Sequence, residues 1–169
     1  MYNPSKLGKI NYEVIMKTNI WKTLSSIDCS KHTEKKGNLT YLSWAWTWGT
    51  LMKFYPEARY QFTDHRDVNN NITDIQMYRD GTASVECTVT IEQISRTISL
   101  PVMDHRNQAI QNPNSRQISD TKMRCLVKAI AMHGLGFYIY AGEDLPERLS
   151  VQGKPTQSTN AVKWATQAK

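Results

Sequence analysis

The sequence predicts an α+β fold in which an antiparallel β-meander packs against helices. Three observations predict it. Residues 83–102 hold two runs of apolar–polar alternation, the period at which side chains share one face of a strand. Asp80-Gly81, just ahead of the first run, is a strong hairpin turn signal. Two other segments, around Trp44–Tyr55 and Ser119–Gly134, repeat apolar residues at helical spacing instead.

The elements follow in order. Residues 1 to 20 carry no strong period, and the lysines of MYNPSKLGKINYEVIMKTNIW are not followed by an apolar run, so no signal peptide is expected. IWKTLSSIDCSKHTEKKGNLT opens on a short helical turn and passes into a polar loop at TEKKGN. A helix then starts with Ser43 as its N-cap, and Pro56 stops it at Tyr55. At 100° per residue, Trp44, Trp48, Leu51, Met52 and Tyr55 form one stripe, which assigns Trp44 and Trp48 to the core. Trp46 falls on the other side, near Thr50 and Lys53. Packing on a second layer, a subunit interface and contact with a ligand are all open to it.

Next, ARYQFTDH alternates Tyr60 and Phe62 with polar neighbours, and VNNNIT is a turn cluster. DIQMYRDG places Ile75 and Met77 on one face before Asp80-Gly81. In TASVECTVTI, Val85, Cys87, Val89 and Ile91 face one way and Glu86, Thr88 and Thr90 the other. In ISRTISLPVM, Ile94, Ile98, Leu100 and Val102 share a side, and Pro101 puts the strand's end at or near a sheet edge. DHRNQAIQNPNSRQ is polar and loop-like. The second helix begins near Ser119 with Asp120 in its first turn, buries Met123, Leu126, Val127 and Ile130, and ends at Gly134. Thr121, Arg124 and Lys128 sit on a different face, and Arg124 and Lys128, four apart, are neighbours along it. Phe137 to Ala141 is a short strand, with Tyr138 and Tyr140 on one side. Residues 1–150 make one domain, and 151–169 make a flexible polar tail without a stripe.

Composition narrows the function. The 169 residues are 40% hydrophobic and 21% charged, as expected of a soluble globular protein. No apolar run approaches the length of a membrane span, so no membrane partner is expected and the cytoplasm is the default compartment. Cys29, Cys87 and Cys125 are odd in number and widely spaced, and His32, His65, His105 and His133 stand at no zinc-ligand spacing from them. Neither a disulfide frame nor a metal site is indicated. The net charge is +6. Between His105 and Gly142 five basic residues (Arg106, Arg116, Lys122, Arg124, Lys128) stand against one acid, Asp120. That concentration suggests a polyanion partner, with solubilising surface charge as the alternative.

Several chemistries lack their residues. There is no GxxxxGK[ST] phosphate loop and no GxSxG elbow, and Gly134 and Gly136 follow a helix where a dinucleotide loop would precede one. Asp64, Asp67, Asp74, Asp80, Glu86 and Asp104 could hold Mg²⁺ for a nuclease, but most fall in turns, where Asp is common. No catalytic residue and no cofactor is assigned.

YLSWAWTWGTLMKFYP, LPVMDHRNQAI and MRCLVKAIAMHGLGFYIYAGEDLP together resemble the phage single-strand annealing recombinases of the Sak/Erf type and, more distantly, the eukaryotic annealing protein of the Rad recombination group. The similarity runs from about Ile27 to Leu149, and KAIAMHGLGFYIYAGEDLP is its most specific block. The resemblance implies a β-β-β-α core with a long helix across a curved antiparallel sheet, and assembly into a homo-oligomeric ring or helical filament. It implies single-stranded DNA in a basic groove, ATP-independent annealing, action in the bacterial host cell, and a host single-strand-binding protein as a candidate partner. Lys128 matches a basic groove position on the family's second helix, and Arg124 shares its face. Lys122, Arg59 and Lys53 are further DNA-binding candidates, with Arg79 weaker, and Trp46 and Tyr138 are candidates for base stacking or an interface. The competing functions are a Mg²⁺-dependent nuclease and a single-strand-binding protein without annealing activity.

Overall fold

A computed structural model describes residues 20–36 and 39–140. Residues 20–25 are helical (α1), and a 3₁₀ turn at Ser30–His32 follows. Strands β1 (Thr33–Lys36) and β2 (Leu39–Leu42) form an antiparallel hairpin. Helix α2 spans Trp44–Phe54. Then come β3 (Arg59–Phe62), the small β4–β5 hairpin (His65–Arg66 with Ile72–Thr73), β6 (Gln76–Met77), β7 (Ala83–Ile91) and β8 (Ile94–Pro101). Helices α3 (Ser115–Ala131) and α4 (Phe137–Tyr140) close the described chain. The predicted class, α+β with an antiparallel sheet, is the one observed.

β7 is the middle of the main sheet. β3 and β6 pair along one of its edges and β8 along the other, all antiparallel. The alternation predicted for β7 holds: Val85, Cys87, Val89 and Ile91 are fully buried. The opposite face is a hydroxyl ladder, with Thr88 and Thr97 Oγ1 atoms 2.8 Å apart and Thr90 Oγ1 2.8 Å from Ser95 Oγ. Helix α3 packs across the apolar face of β7 and β8. Its small residues Cys125 and Ala129 are fully buried, and Cys125 Sγ lies 3.6 Å from the Val85 carbonyl and 3.4 Å from that of Ile98. Burial pushes the Cys87 and Cys125 thiols up to about 12, so they stay protonated and behave as small apolar groups.

Several local expectations are corrected. TEKKGN is no simple loop, because its first residues form β1 of the hairpin with β2. Helix α3 begins four residues before Ser119: Asn114 accepts from the Gln117 N–H and Gln117 returns the bond, a reciprocal cap. Near the short β6, Ile75 packs against the core but Met77, opposite Ala83, is exposed. In α2, Ser43 does cap, accepting from the Trp46 N–H, but the buried residues are Thr47, Thr50 and Leu51. Trp44 is 50% exposed and Trp48 only partly buried. A helical side chain leans toward the N-terminus, so Trp44 at the first position projects past the helix end. The predicted strand at Phe137–Ala141 is a helical turn over Phe137–Tyr140. Gly134 (φ 119°) and Gly136 (φ 69°) adopt left-handed backbone there, and a Cβ at Gly136 would meet Leu42 Cδ2 at 2.9 Å. The tail assigned to 151–169 lies outside the described residues.

His133 is 3% exposed, with Nε2 3.0 Å from the Val89 carbonyl, so that nitrogen carries the proton it donates. Burial holds its pKa below the ordinary histidine value, and the folded ring is neutral. The unfolded ring takes a proton at higher pH. Its contribution to stability is therefore complete above about pH 6.5 and declines as pH falls below that. Thermal melts from pH 7.5 to 5.0 should show a falling midpoint that His133→Gln flattens. Asn114→Ala should lower stability by about 1 kcal/mol, or roughly 2–4 °C in midpoint, by loss of the α3 cap.

Candidate functional site

A groove of about 840 Å³ opens between one flank of α3, strand β2, the start of α2 and the end of β8. Its aromatic lining is Tyr41, Trp44 and Tyr140, and its basic lining includes Arg124 and Lys128. Each cation is seated on a ring. The Arg124 guanidinium lies 5.3 Å from the Tyr41 centroid and Lys128 Nζ lies 5.2 Å from that of Tyr140. Such contacts help hold a long cationic side chain in place.

Local sequence explains the seats. The β1–β2 register sets Tyr41 across from Glu34 in the hairpin. The two left-handed glycines after α3 turn the chain back, so that α4 packs on α3 and β2 and Tyr140 reaches Lys128. Charge in the groove is local. Besides Arg124 and Lys128 the lining holds Arg116, and against them stand Glu34, Asp104 and Asp120. Arg116 pairs with Asp120 at 3.2 Å, one helical turn away. The Asp104 carboxylate accepts the Arg106 and Gln108 N–H groups at 2.8 and 3.0 Å, and these bonds lower its pKa. Glu34, across from Tyr41, stands beside the seat of Arg124, so the groove carries mixed charge in which Arg124 and Lys128 are the two adjacent cations.

Of the residues singled out in sequence, the structure brings Arg124 and Lys128 together in the groove and separates the rest. Lys122 lies on the other flank of α3, in an ion pair with Asp74 and 5.5 Å from the Phe62 centroid. Arg59 is exposed on β3, opposite Thr90, and so on the hydroxyl face of the sheet, away from α3. Lys53 is exposed near the far end of α2, and Arg79 is exposed in the turn after β6. Trp46 stacks on His32, with centroids 4.2 Å apart and rings 13° from parallel. The Tyr138 hydroxyl accepts the Cys29 N–H at 3.0 Å. Because 137–140 is helical, Tyr138 and Tyr140 no longer share a face. Sequence reasoning missed Tyr41 and Trp44 as groove residues. The alternation of NLTYL was the available signal for a strand at Tyr41.

Most of the carboxylates weighed for a metal, Asp64 apart, are engaged in other bonds. Asp67 and Asp80 accept turn N–H groups, Asp74 holds Lys122, and Glu86 accepts from the Thr63 hydroxyl at 2.8 Å. Among the described residues no three His, Cys, Asp or Glu side chains gather as a metal site. No helix among them is long and apolar enough to cross a membrane.

The groove sets two neighbouring cations beside aromatic rings, the combination of groups that single-stranded nucleic-acid-binding proteins use. Comparison with protein families agrees: the model of the Sak single strand annealing protein family matches residues 19–169. The chain belongs to that family of DNA-binding proteins, which anneal single strands in phage recombination. Comparison with curated proteins finds no match.

The geometry separates two lysines on one helix. Lys122→Ala should cost stability by at most about 1 kcal/mol, since its pair with Asp74 is partly exposed, and should change affinity for single-stranded DNA by less than about twofold in fluorescence anisotropy.

Proposed function

We propose that the chain holds the phosphates of single-stranded DNA with Arg124 and Lys128 and speeds pairing of complementary strands, with no nucleotide hydrolysis and no bond chemistry of its own. The observation that carries this is the pair of cations one helical turn apart, each on a tyrosine ring, in one groove. Phosphates displace condensed counterions when they meet such a pair, so binding is salt-dependent. A strand gripped by its backbone leaves the pairing edges of its bases available. A complementary strand then samples register against it with less electrostatic repulsion.

Two cations make a weak site. Assembly of copies into a ring or filament, as the resemblance implies, would link such sites and raise affinity by effective concentration. Single-stranded DNA is the substrate in this scheme. A host single-strand-binding protein, coating the same strands in the bacterial cytoplasm, is the proposed partner. The absence of a phosphate loop from the sequence supports ATP independence.

Purified protein should accelerate annealing of complementary oligonucleotides in EDTA without nucleotide. The Arg124→Ala/Lys128→Ala variant should keep its thermal midpoint but bind single strands weakly, with the salt slope reduced by about 1.4 for two lost phosphate contacts. Normal binding by that variant would show the groove to be misassigned. Strand cleavage in Mg²⁺ or Mn²⁺ would favour a nuclease instead.

A further inference from the structure

Trp44 has no evident task in the fold. It opens α2 and is half exposed, whereas its two neighbours in WAWTW are occupied internally. Trp46 stacks on His32, and Trp48 meets Tyr60 edge-on at 5.0 Å. Among the described residues no ring or cation lies against Trp44. Yet it lines the same groove as Arg124 and Lys128. The other groove rings, Tyr41 and Tyr140, each seat one of those cations. Trp44 is thus a large aromatic surface turned to solvent beside two phosphate-binding candidates. Exposure alone asks for no partner, since other large apolar side chains are exposed as well; what sets Trp44 apart is its place in the groove that holds Arg124 and Lys128.

We propose that Trp44 stacks on a nucleobase of the strand whose phosphates Arg124 and Lys128 hold. The inference rests on the function proposed above and adds a base contact to it. Single-stranded nucleic acid is bound by a cationic track combined with aromatic platforms, and both parts are present in this groove. Stacking uses the face of a base and leaves its pairing edge open, which suits a protein that must let the strand pair. It also tolerates every base, because each has a π-face. The Ser43 cap fixes the helix start from which the indole projects, so the platform is held at a set position.

The test compares a base-bearing oligothymidylate with an abasic deoxyribose-phosphate strand of equal length, using the full chain. Wild type should prefer the base-bearing strand. Trp44→Ala should lose roughly 5- to 150-fold in affinity for it and keep wild-type affinity for the abasic strand. Trp44→Leu, which keeps apolar bulk without a π-face, should lose similarly, and Trp44→Phe should recover part. The salt slope should not change in any of them. Equal loss on both strands, no loss on either, or a changed assembly size in sedimentation would overturn base stacking. Wild type that binds neither strand would sink the groove assignment and the stacking with it. Wild type that binds both, matched by Trp44→Ala, would sink the stacking alone.

Discussion

The packing of α3 across the apolar face of β7 and β8 is the constraint on which the rest depends. Val85, Cys87, Val89 and Ile91 offer a flat, fully buried surface, and the small side chains of Cys125 and Ala129 let the helix settle on it. That contact sets the rotation of α3 about its axis. At 100° per residue, Arg124 and Lys128 then fall on one flank of the buried line and Lys122 on the other. The same rotation that delivers two cations to a groove delivers the third to Asp74. A turn of the helix about its axis would exchange these roles.

Aromatic rings, more than net charge, organise the groove. Its whole lining holds as many carboxylates as lysines and arginines, so no uniform positive trough exists at the scale of the single chain. What distinguishes one end is that Arg124 and Lys128 rest on tyrosines contributed by β2 and α4. One element remote in sequence, β2, and one that directly follows, α4, thereby position residues of α3. The left-handed glycines after α3 are essential to this, since a Cβ at Gly134 would crowd the α1 backbone at 3.0 Å and one at Gly136 would strike Leu42. Loss of either would displace α4 and the ring under Lys128.

The buried titratable groups serve the fold. His133 spends its one ring N–H on the Val89 carbonyl, and the two inner thiols are held protonated by burial. Turn N–H groups lower the pKa values of the aspartates that accept them, as at Asp67, Asp80 and Asp104. Their effect on stability has the opposite pH sense to that of a cationic partner: it is present above the ordinary carboxylate range and fades as acid protonates them.

Periodicity and punctuation alone determined the sheet and its helices. Alternation marked β7 and β8, Asp80-Gly81 the hairpin before them, and the stripe through Leu126 and Ile130 the long helix, because each of these is a local property of the chain. The same face arithmetic paired Arg124 with Lys128. The local signals failed where a neighbour's geometry overrode them. The aromatic run after Gly136 has strand composition, yet two positive-φ glycines and packing on β2 and α3 wind it into a helical turn. The tryptophan run has a helical stripe, but its burial depended on where α2 meets the rest: Thr47 and Thr50 went inside, and Trp44, beyond the last supporting turn, stayed out. Whether a basic side chain meets a carboxylate, a ring or solvent depends on elements tens of residues away. Tertiary structure therefore decided which cations and aromatics share one groove, since only packing fixes distances across the chain.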